Sequence, residues 1–144
     1  MSDSIHSDPM HSDRAPKPVG SYPHARRVGN LMFLSGVGSR EPGTDNIPGA
    51  QLDESGHVVS YDIAAQCHSV FNNVRIIIED AGLAWENIVD VTVFLIDMKN
   101  DFDTYNQIYA DYFGEIRPCR TTMEVGALPT EIAIELKVIA QIPE

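Results

Sequence analysis

RPCRTTMEVGALPTEIAIELKVIA, residues 117–140, carries the two strands around which the chain is organised. TTMEV (121–125) and IAIELKVIAQI (132–142) are rich in β-branched and apolar residues, and Ala-Leu-Pro-Thr separates them. This pattern predicts two strands joined by a turn as a hairpin. The second strand alternates an apolar face with a mixed face, as a sheet covered by another subunit would do. We therefore expect the chain to self-associate.

Three charged residues stand out in this stretch. Arg117 and Arg120 are two of only ten basic residues in a chain of 144 residues with a formal charge of −11. Glu135 lies on the second predicted strand. Arg120 and Glu135 form either an ordinary surface ion pair, worth about 0–1 kcal/mol, or a site where the arginine holds a carboxylate and the glutamate acts on a water. Spacing alone does not decide between the two.

The charge balance bears on the class of partner. An acidic chain repels polyanions, so we expect no nucleic-acid partner and instead a small anion bound in a local cationic pocket. No apolar run reaches the ~20 residues of a membrane span, and the first residues do not resemble a secretory signal. The expected location is the cytoplasm, without membrane contact. Cys67 and Cys119 lack metal-binding spacing, so we expect free thiols and no metal.

Upstream of the quoted stretch, helix and strand patterns alternate. Apolar residues at three-to-four spacing predict helices over residues 61–81, capped by Ser60 or Asp62, and 100–115. Residues 31–37 and 88–97 predict buried strands. The order is β (single or hairpin), α, β, α, β, β, which predicts an α+β fold with two helices packed on one face of a mixed β-sheet. Cys67 falls on the apolar stripe of the first helix, and the aromatic stripe of the second helix is typical of core packing.

Two segments fall outside this pattern. Residues 1–17, rich in Ser, Asp, His and Pro, are expected to form a flexible N-terminal arm before a single domain over residues 18–144. The segment at about residues 38–60 is expected to be an extended loop. Loops longer than about 12–15 residues are uncommon and tend to be functional or mobile.

Five segments together resemble one protein family. PVGSY (18–22), NLMFLSG (30–36), FNNVRIIIEDAGL (71–83), IVDVTVFLIDMKNDFDTYNQIY (88–109) and residues 117–140 are similar to the RidA/YjgF family of enamine/imine deaminases. The closing motif, Pro-x-Arg, then Leu-Pro, then a strand with Ile-Glu, is specific to that family. The resemblance implies a chorismate-mutase-like fold, a homotrimer whose sheets form a central barrel, active sites in the clefts between subunits, and no cofactor. A dimer of trimers stays open.

Carried over by position, the resemblance also implies roles for individual residues. Arg120 matches the arginine that pairs in a bidentate manner with a substrate carboxylate, and Glu135 matches the glutamate that positions or activates the hydrolytic water. The other matched substrate-binding positions are Tyr22, Ser35, Gly36, Asn106 and Thr122. Thr122 stands where many members have a cysteine. Cys119 precedes Arg120 and should face away from it, since side chains alternate along a strand.

The long loop, the arm and PHARR (23–27) make the chain similar to the 2-aminomuconate deaminases of aromatic-compound catabolism. Those enzymes hydrolyse a six-carbon dicarboxylate enamine to 4-oxalocrotonate and ammonia. A dicarboxylate needs a second cationic contact, and the candidates are Arg26, Arg27, Arg40, His24 and Arg117. The alternatives are a generic RidA-type deaminase of 2-iminopropanoate (from 2-aminoacrylate) and, less favoured, a non-catalytic ligand-binding or chaperone-like trimer or a ribonuclease.

Overall fold

The computed structural model describes residues 7–144 of the chain. Its elements, in chain order, are β1 (Ser7–Met10), β2 (Ala25–Val28), β3 (Leu31–Leu34), β4 (Val37–Gly38), β5 (Gln51–Leu52), β6 (Val58–Ser60), α1 (Ile63–Asp80), β7 (Ile88–Leu95), α2 (Met98–Phe113), β8 (Cys119–Glu124) and β9 (Ile134–Gln141). Seven strands form one mixed sheet in the order β1-β2-β3-β9-β7-β8, with β4 also paired to β9. Strands β5 and β6 form a separate hairpin.

Both helices pack on one face of this sheet, as expected for the α+β fold. Asp62 caps α1 by accepting hydrogen bonds from the backbone N–H groups of Ala64 and Ala65. The apolar sides of α1 and α2 meet the buried sheet residues in a single core. The aromatic stripe of α2 lies in that core, with Tyr105 and Phe113 at most 1% exposed. The predicted core role of the stripe is confirmed.

The expected hairpin between the last two strands is wrong, because β7 lies between β8 and β9. Strand β8 runs parallel to β7, and α2 forms the crossover that such a parallel pair needs. The chain then crosses to the other side of β7, where β9 pairs antiparallel. The two final strands therefore never touch, and an ion pair between Arg120 and Glu135 across a hairpin does not exist. The hairpin left open at the start of the domain does form, between β2 and β3.

The N-terminal segment differs from the expected flexible arm. Residues 1–6 lie outside the described part of the chain, but β1 pairs antiparallel with β2 from Ser7 onward. Beyond β1, the Ser12 hydroxyl donates to Asp80 Oδ2 at 2.6 Å, and Arg14 Nη2 donates to Asp80 Oδ1 at 2.6 Å. These polar contacts to the end of α1 leave no apolar periodicity in the sequence. For that reason the sequence pattern predicted a flexible arm for this segment.

The base of the long loop is fixed to α1. Ser39 Oγ donates to Gln66 Oε1 at 2.8 Å. The side-chain amide of Asn73 donates to the backbone oxygens of Gly38 and Arg40, at 2.9 and 2.8 Å. Asn73 and Gln66 are both almost fully buried. The first residues of the loop therefore have a fixed position beside the sheet, although the loop is mostly irregular.

The sheet face opposite the helices is only partly covered in the described chain. Phe33, Phe94 and Ile139 lie on this face and are half-buried, and Val28 and Met123 beside them are 39% and 40% exposed. We call it the open face. No helix within residues 7–144 has the length and hydropathy to cross a membrane.

Candidate active site

Arg120 is a residue of β8, and its side chain extends toward α2. Its register partner on β7 is Val91, which is fully buried under the helices, so Arg120 points to the helix side of the sheet. Its guanidinium lies over the rings of Tyr105 and Tyr109, 5.4 and 4.7 Å from their centroids, and Nη1 donates to Asn106 Oδ1 at 2.8 Å. Cation–π contact and this hydrogen bond orient the guanidinium. It is thereby prepared to bind a planar carboxylate.

Thr122 and Cys119 lie on either side of Arg120 along β8. Thr122 faces α2, and its hydroxyl shares a 2.7 Å hydrogen bond with the hydroxyl of Tyr105. Cys119 pairs with Asp90 and is exposed on the opposite face. The alternation of the strand predicted that Cys119 faces away from Arg120, and the register confirms it. Thr122 therefore belongs to the surroundings of Arg120, and Cys119 does not.

Glu135 lies on the open face. It is the register partner of Phe94 on β7 and of Gly38 on β4. The side chain is half-buried, and this burial raises the pKa of Glu135 above that of a free carboxyl. A Cβ atom on Gly36 would come within 2.8 Å of Glu135 Oε2, so any larger residue there would displace the carboxylate. A carboxyl group with a raised pKa is suited to exchanging protons with a water or an amine.

Tyr22 and Ser35 lie next to Gly36. Ser35 Oγ donates to the Pro23 backbone oxygen at 2.7 Å, and the Tyr22 hydroxyl accepts from Val19 N–H at 3.2 Å. Together with Gly36 they line a cavity of about 350 Å³, part of it open to solvent. The enclosed part of this space is about 40 Å³, which holds a few waters or one small polar group.

The five candidates for a second cationic contact fall into two sets. Arg40 and His24 line the cavity. Arg26, Arg27 and Arg117 do not line it, and the tentative assignment of Arg26 and Arg27 to the substrate site stays a prediction.

The position of β2 leaves Arg26 and Arg27 outside the cavity. The cavity is lined by residues of segments 16–24 and 35–40, which precede β2 and follow β3, and by Ile77 of α1. Arg26 Nη1 donates to Ser7 Oγ at 2.8 Å, and Arg27 Nε donates to the Gly29 backbone oxygen at 3.0 Å. Both guanidinium groups are therefore bound to nearby chain segments.

Sequence reasoning missed two lysines near the site. Lys137 shares the open face with Glu135, and its ammonium group donates to the Leu34 backbone oxygen. Burial lowers the pKa of Lys137. Strand alternation from Glu135 could have placed it there. Lys17 lines the cavity, but it lay within the assumed arm, where no signal pointed to a site.

Two other buried ionisable groups, Cys67 and Asp101, lie in the packing of the helices and away from the cavity. Cys67 is fully buried on α1, and burial raises its pKa to about 12, so the thiol is neutral. Tyr61 donates to the buried Asp101 at 2.6 Å, and burial raises the pKa of that carboxyl. Within residues 7–144, no group of three or more His, Cys, Asp or Glu side chains is arranged to hold a metal ion.

The two halves of the site lie on opposite faces of the sheet. Arg120, Asn106 and Thr122 are on the helix side, and we call them the arginine half. Glu135 and Gly36 are on or beside the open face and, with Tyr22 and Ser35, form the glutamate half. No hydrogen bond or ion pair among the described residues joins the two halves. One chain alone therefore does not bring Arg120 and Glu135 together.

Comparison with known proteins identifies the family. The model of the family described as Endoribonuclease L-PSP matches residues 12–142. A RutC family protein of Pyrococcus abyssi is 39% identical over 129 residues, which are 90% of this chain and 92% of that protein. Reactive Intermediate Deaminase A, chloroplastic, of Arabidopsis thaliana is 34% identical over 137 residues, covering 95% and 67% of the two proteins.

A solved structure supports the same assignment. The YJGF gene product from E. coli superposes with a TM-score of 0.79 at 34% identity, covering 93% of this chain and 98% of that one. The resemblance to the RidA/YjgF family is thereby confirmed, and with it the fold. The chain belongs to the endoribonuclease L-PSP family, in which its relatives include RutC family proteins and a Reactive Intermediate Deaminase.

Proposed function

We propose that this protein is a cofactor-independent hydrolytic deaminase whose substrate is 2-aminomuconate, a dicarboxylate enamine. The proposal rests on two observations. The guanidinium of Arg120 lies over a tyrosine ring, and burial raises the pKa of the half-buried Glu135. The relative named Reactive Intermediate Deaminase A supports the deaminase chemistry. The cationic cavity beside Gly36 supports a substrate with a second negative charge.

The chemistry needs no covalent nucleophile. The enamine tautomerises to an imine, and water adds to the carbon of the C=N bond. Glu135 accepts a proton from that water and delivers it to the nitrogen, which gives a carbinolamine. A second proton then passes from the carbinolamine hydroxyl to the nitrogen, the C–N bond breaks, and ammonia leaves as the ketone forms. The net change is one imine and one water to one ketone, here 4-oxalocrotonate, and one ammonia. Arg120 holds the carboxylate next to the reacting carbon and so fixes its distance from Glu135.

A second copy of the chain is needed to complete this site. We propose a homotrimer in which the open face of one subunit contacts a neighbour, so that the arginine half of one copy meets the glutamate half of another. The half-buried Phe33, Phe94 and Ile139 on the open face support such a contact. A dimer of trimers would preserve the same sites.

The surroundings of the protein are also part of the proposal. We place it in the cytoplasm, in aromatic-compound catabolism, without nucleic-acid or membrane partners. The formal charge of −11 supports this, because it opposes binding to polyanions.

The test is ammonia release from enzymatically generated 2-aminomuconate by purified protein without added cofactor. We expect turnover by the wild type and its loss in Arg120→Ala and Glu135→Ala. Turnover of 2-iminopropanoate but not of 2-aminomuconate would favour the alternative, a generic RidA-type deaminase, which the name of the Arabidopsis relative supports. Ammonia release from neither substrate would contradict a deaminase function.

A further inference from the structure

The cavity beside Gly36 has an unusual charge for this protein. Its lining includes Lys17, His24 and Arg40, and it includes no aspartate or glutamate among the described residues. The chain as a whole carries a formal charge of −11. A local cluster of basic groups in such a chain concentrates positive potential at one concave site.

His24 does not supply that charge to a ligand. Its Nδ1 accepts a hydrogen bond from the Ser12 N–H at 3.0 Å, so the ring proton is on Nε2, which lies 2.8 Å from the Pro16 backbone oxygen. Both nitrogens are therefore occupied by the N-terminal segment. His24 is also 8% exposed. Its role is to hold that segment beside the cavity.

Arg40 is both fixed and available. Its backbone oxygen accepts from Asn73 on α1. Its Nη2 donates to the Lys17 backbone oxygen and its Nη1 to Asp45 Oδ1, each at 2.7 Å. These contacts account for two of the five N–H groups of a guanidinium. The Arg40 side chain is only 15% exposed, so the group has already lost much of its freedom and hydration before any ligand binds.

We propose that this cavity is a carboxylate subsite, in which Arg40 binds the substrate carboxylate remote from Arg120 and Lys17 adds a second positive charge. The inference rests on the proposed dicarboxylate deaminase function. Gly36 links the two places, because it lines the cavity and also makes room for Glu135. A ligand lying across Gly36 has its reacting carbon at Glu135 and its far end at Arg40.

The competing explanation is that Arg40 only ties the long loop to the N-terminal segment. Its ion pair with Asp45 has that form. The Asp45 carboxylate, however, is 78% exposed, and a pair with one exposed partner contributes only about 0–1 kcal/mol. Removing Asp45 therefore isolates the loop contact while leaving the guanidinium in place.

The test compares two stable probes that differ by one carboxylate. Muconate and sorbate have the same six-carbon diene, but sorbate has a methyl group at one end. Binding to the full-length protein is measured by calorimetry. We expect the wild type to bind muconate more tightly than sorbate, and Arg40→Ala to weaken muconate about tenfold or more, the loss of one charge-assisted contact. Sorbate binding should change less than about twofold.

Two further variants serve as controls. Lys99→Ala removes an exposed cation of α2 outside the cavity and should leave both affinities unchanged. Asp45→Ala should keep or strengthen muconate binding. The inference is overturned if Arg40→Ala still prefers muconate as the wild type does, or if Asp45→Ala weakens muconate as much as Arg40→Ala. Failure of the proposed function looks different: the wild type then releases no ammonia from 2-aminomuconate, whatever residue 40 is.

Discussion

Arg120 and Arg40 are both immobilised cations, but the fold immobilises them by different means. Arg120 projects from a strand onto two rings of one helix, Tyr105 and Tyr109, so regular elements set its position. Arg40 lies in a loop, and its partners Asn73, Lys17 and Asp45 are 33, 23 and 5 residues away in sequence. We infer that the residues on helices and strands carry out the reaction. The loop held by Asn73 selects the substrate.

The largest expected effect comes from Glu135→Gln on the rigid side. Removing a general acid–base group lowers the rate by about 10²–10⁴-fold. Because burial raises the folded-state pKa of Glu135, wild-type kcat/KM should rise with pH through that pKa, as the carboxylate forms.

The same substitution, which should lower activity, should raise the stability of the folded protein at neutral pH. A raised folded-state pKa means that ionised Glu135 destabilises the native state at neutral pH. That cost disappears below about pH 4.3, the pKa of an unfolded glutamate. Glu135→Gln should therefore melt at a higher temperature than the wild type at pH 8, with the gap closing toward pH 4. A lower melting temperature at pH 8 would contradict the burial argument.

Arg120→Ala is expected to cost about 100-fold in kcat/KM, since a bidentate charge-assisted pair contributes about 3 kcal/mol. The loss should apply equally to mono- and dicarboxylate substrates, because Arg120 holds the carboxylate that all of them share. Arg120→Lys keeps the charge without the planar fork and should lie between alanine and wild type. If Arg120→Ala lost only the dicarboxylate activity, the division between the two arginines would be reversed.

Asn73→Ala tests the loop side. It leaves two loop carbonyls without their partner and should cost about 1–3 kcal/mol in urea unfolding. We expect KM for the dicarboxylate to rise by up to about tenfold, with little change for 2-iminopropanoate, because Arg40 loses its anchor. The neighbouring Asn72 is exposed, and Asn72→Ala is the matched control. Equal losses for both substrates would mean that the loop supports the whole site.

The smallest effect is expected at Cys119. It is exposed and faces away from Arg120, so Cys119→Ser should change stability by less than about 0.5 kcal/mol and leave both substrates unaffected. Thr122→Val, on the Arg120 side, should cost about 1 kcal/mol through the lost hydrogen bond to Tyr105. A larger loss at Cys119 than at Thr122 would contradict the strand register.

The same contrast explains what the sequence could reveal. Periodicity predicted both helices and the buried strands they pack against. Alternation along β8 placed Arg120 and Cys119 on opposite faces of the sheet. Pairing between distant strands left no such local signal, so the position of β7 between β8 and β9 was missed. The placement of Arg40 depends on Asn73, a polar residue within a helix whose partners are backbone oxygens. Composition and spacing do not reveal hydrogen bonds from a helix side chain to the backbone oxygens of a distant loop.

We propose that the active site combines the arginine half of one subunit with the glutamate half of another. Arg120→Ala and Glu135→Ala protein, each inactive alone, can be unfolded together, refolded as an equal mixture and assayed for ammonia release. Random assembly unites an intact Arg120 with an intact Glu135 at about one site in four of a closed ring, so about a quarter of wild-type activity should return. No recovered activity in correctly assembled mixtures would contradict the claim and place both residues in one chain's site.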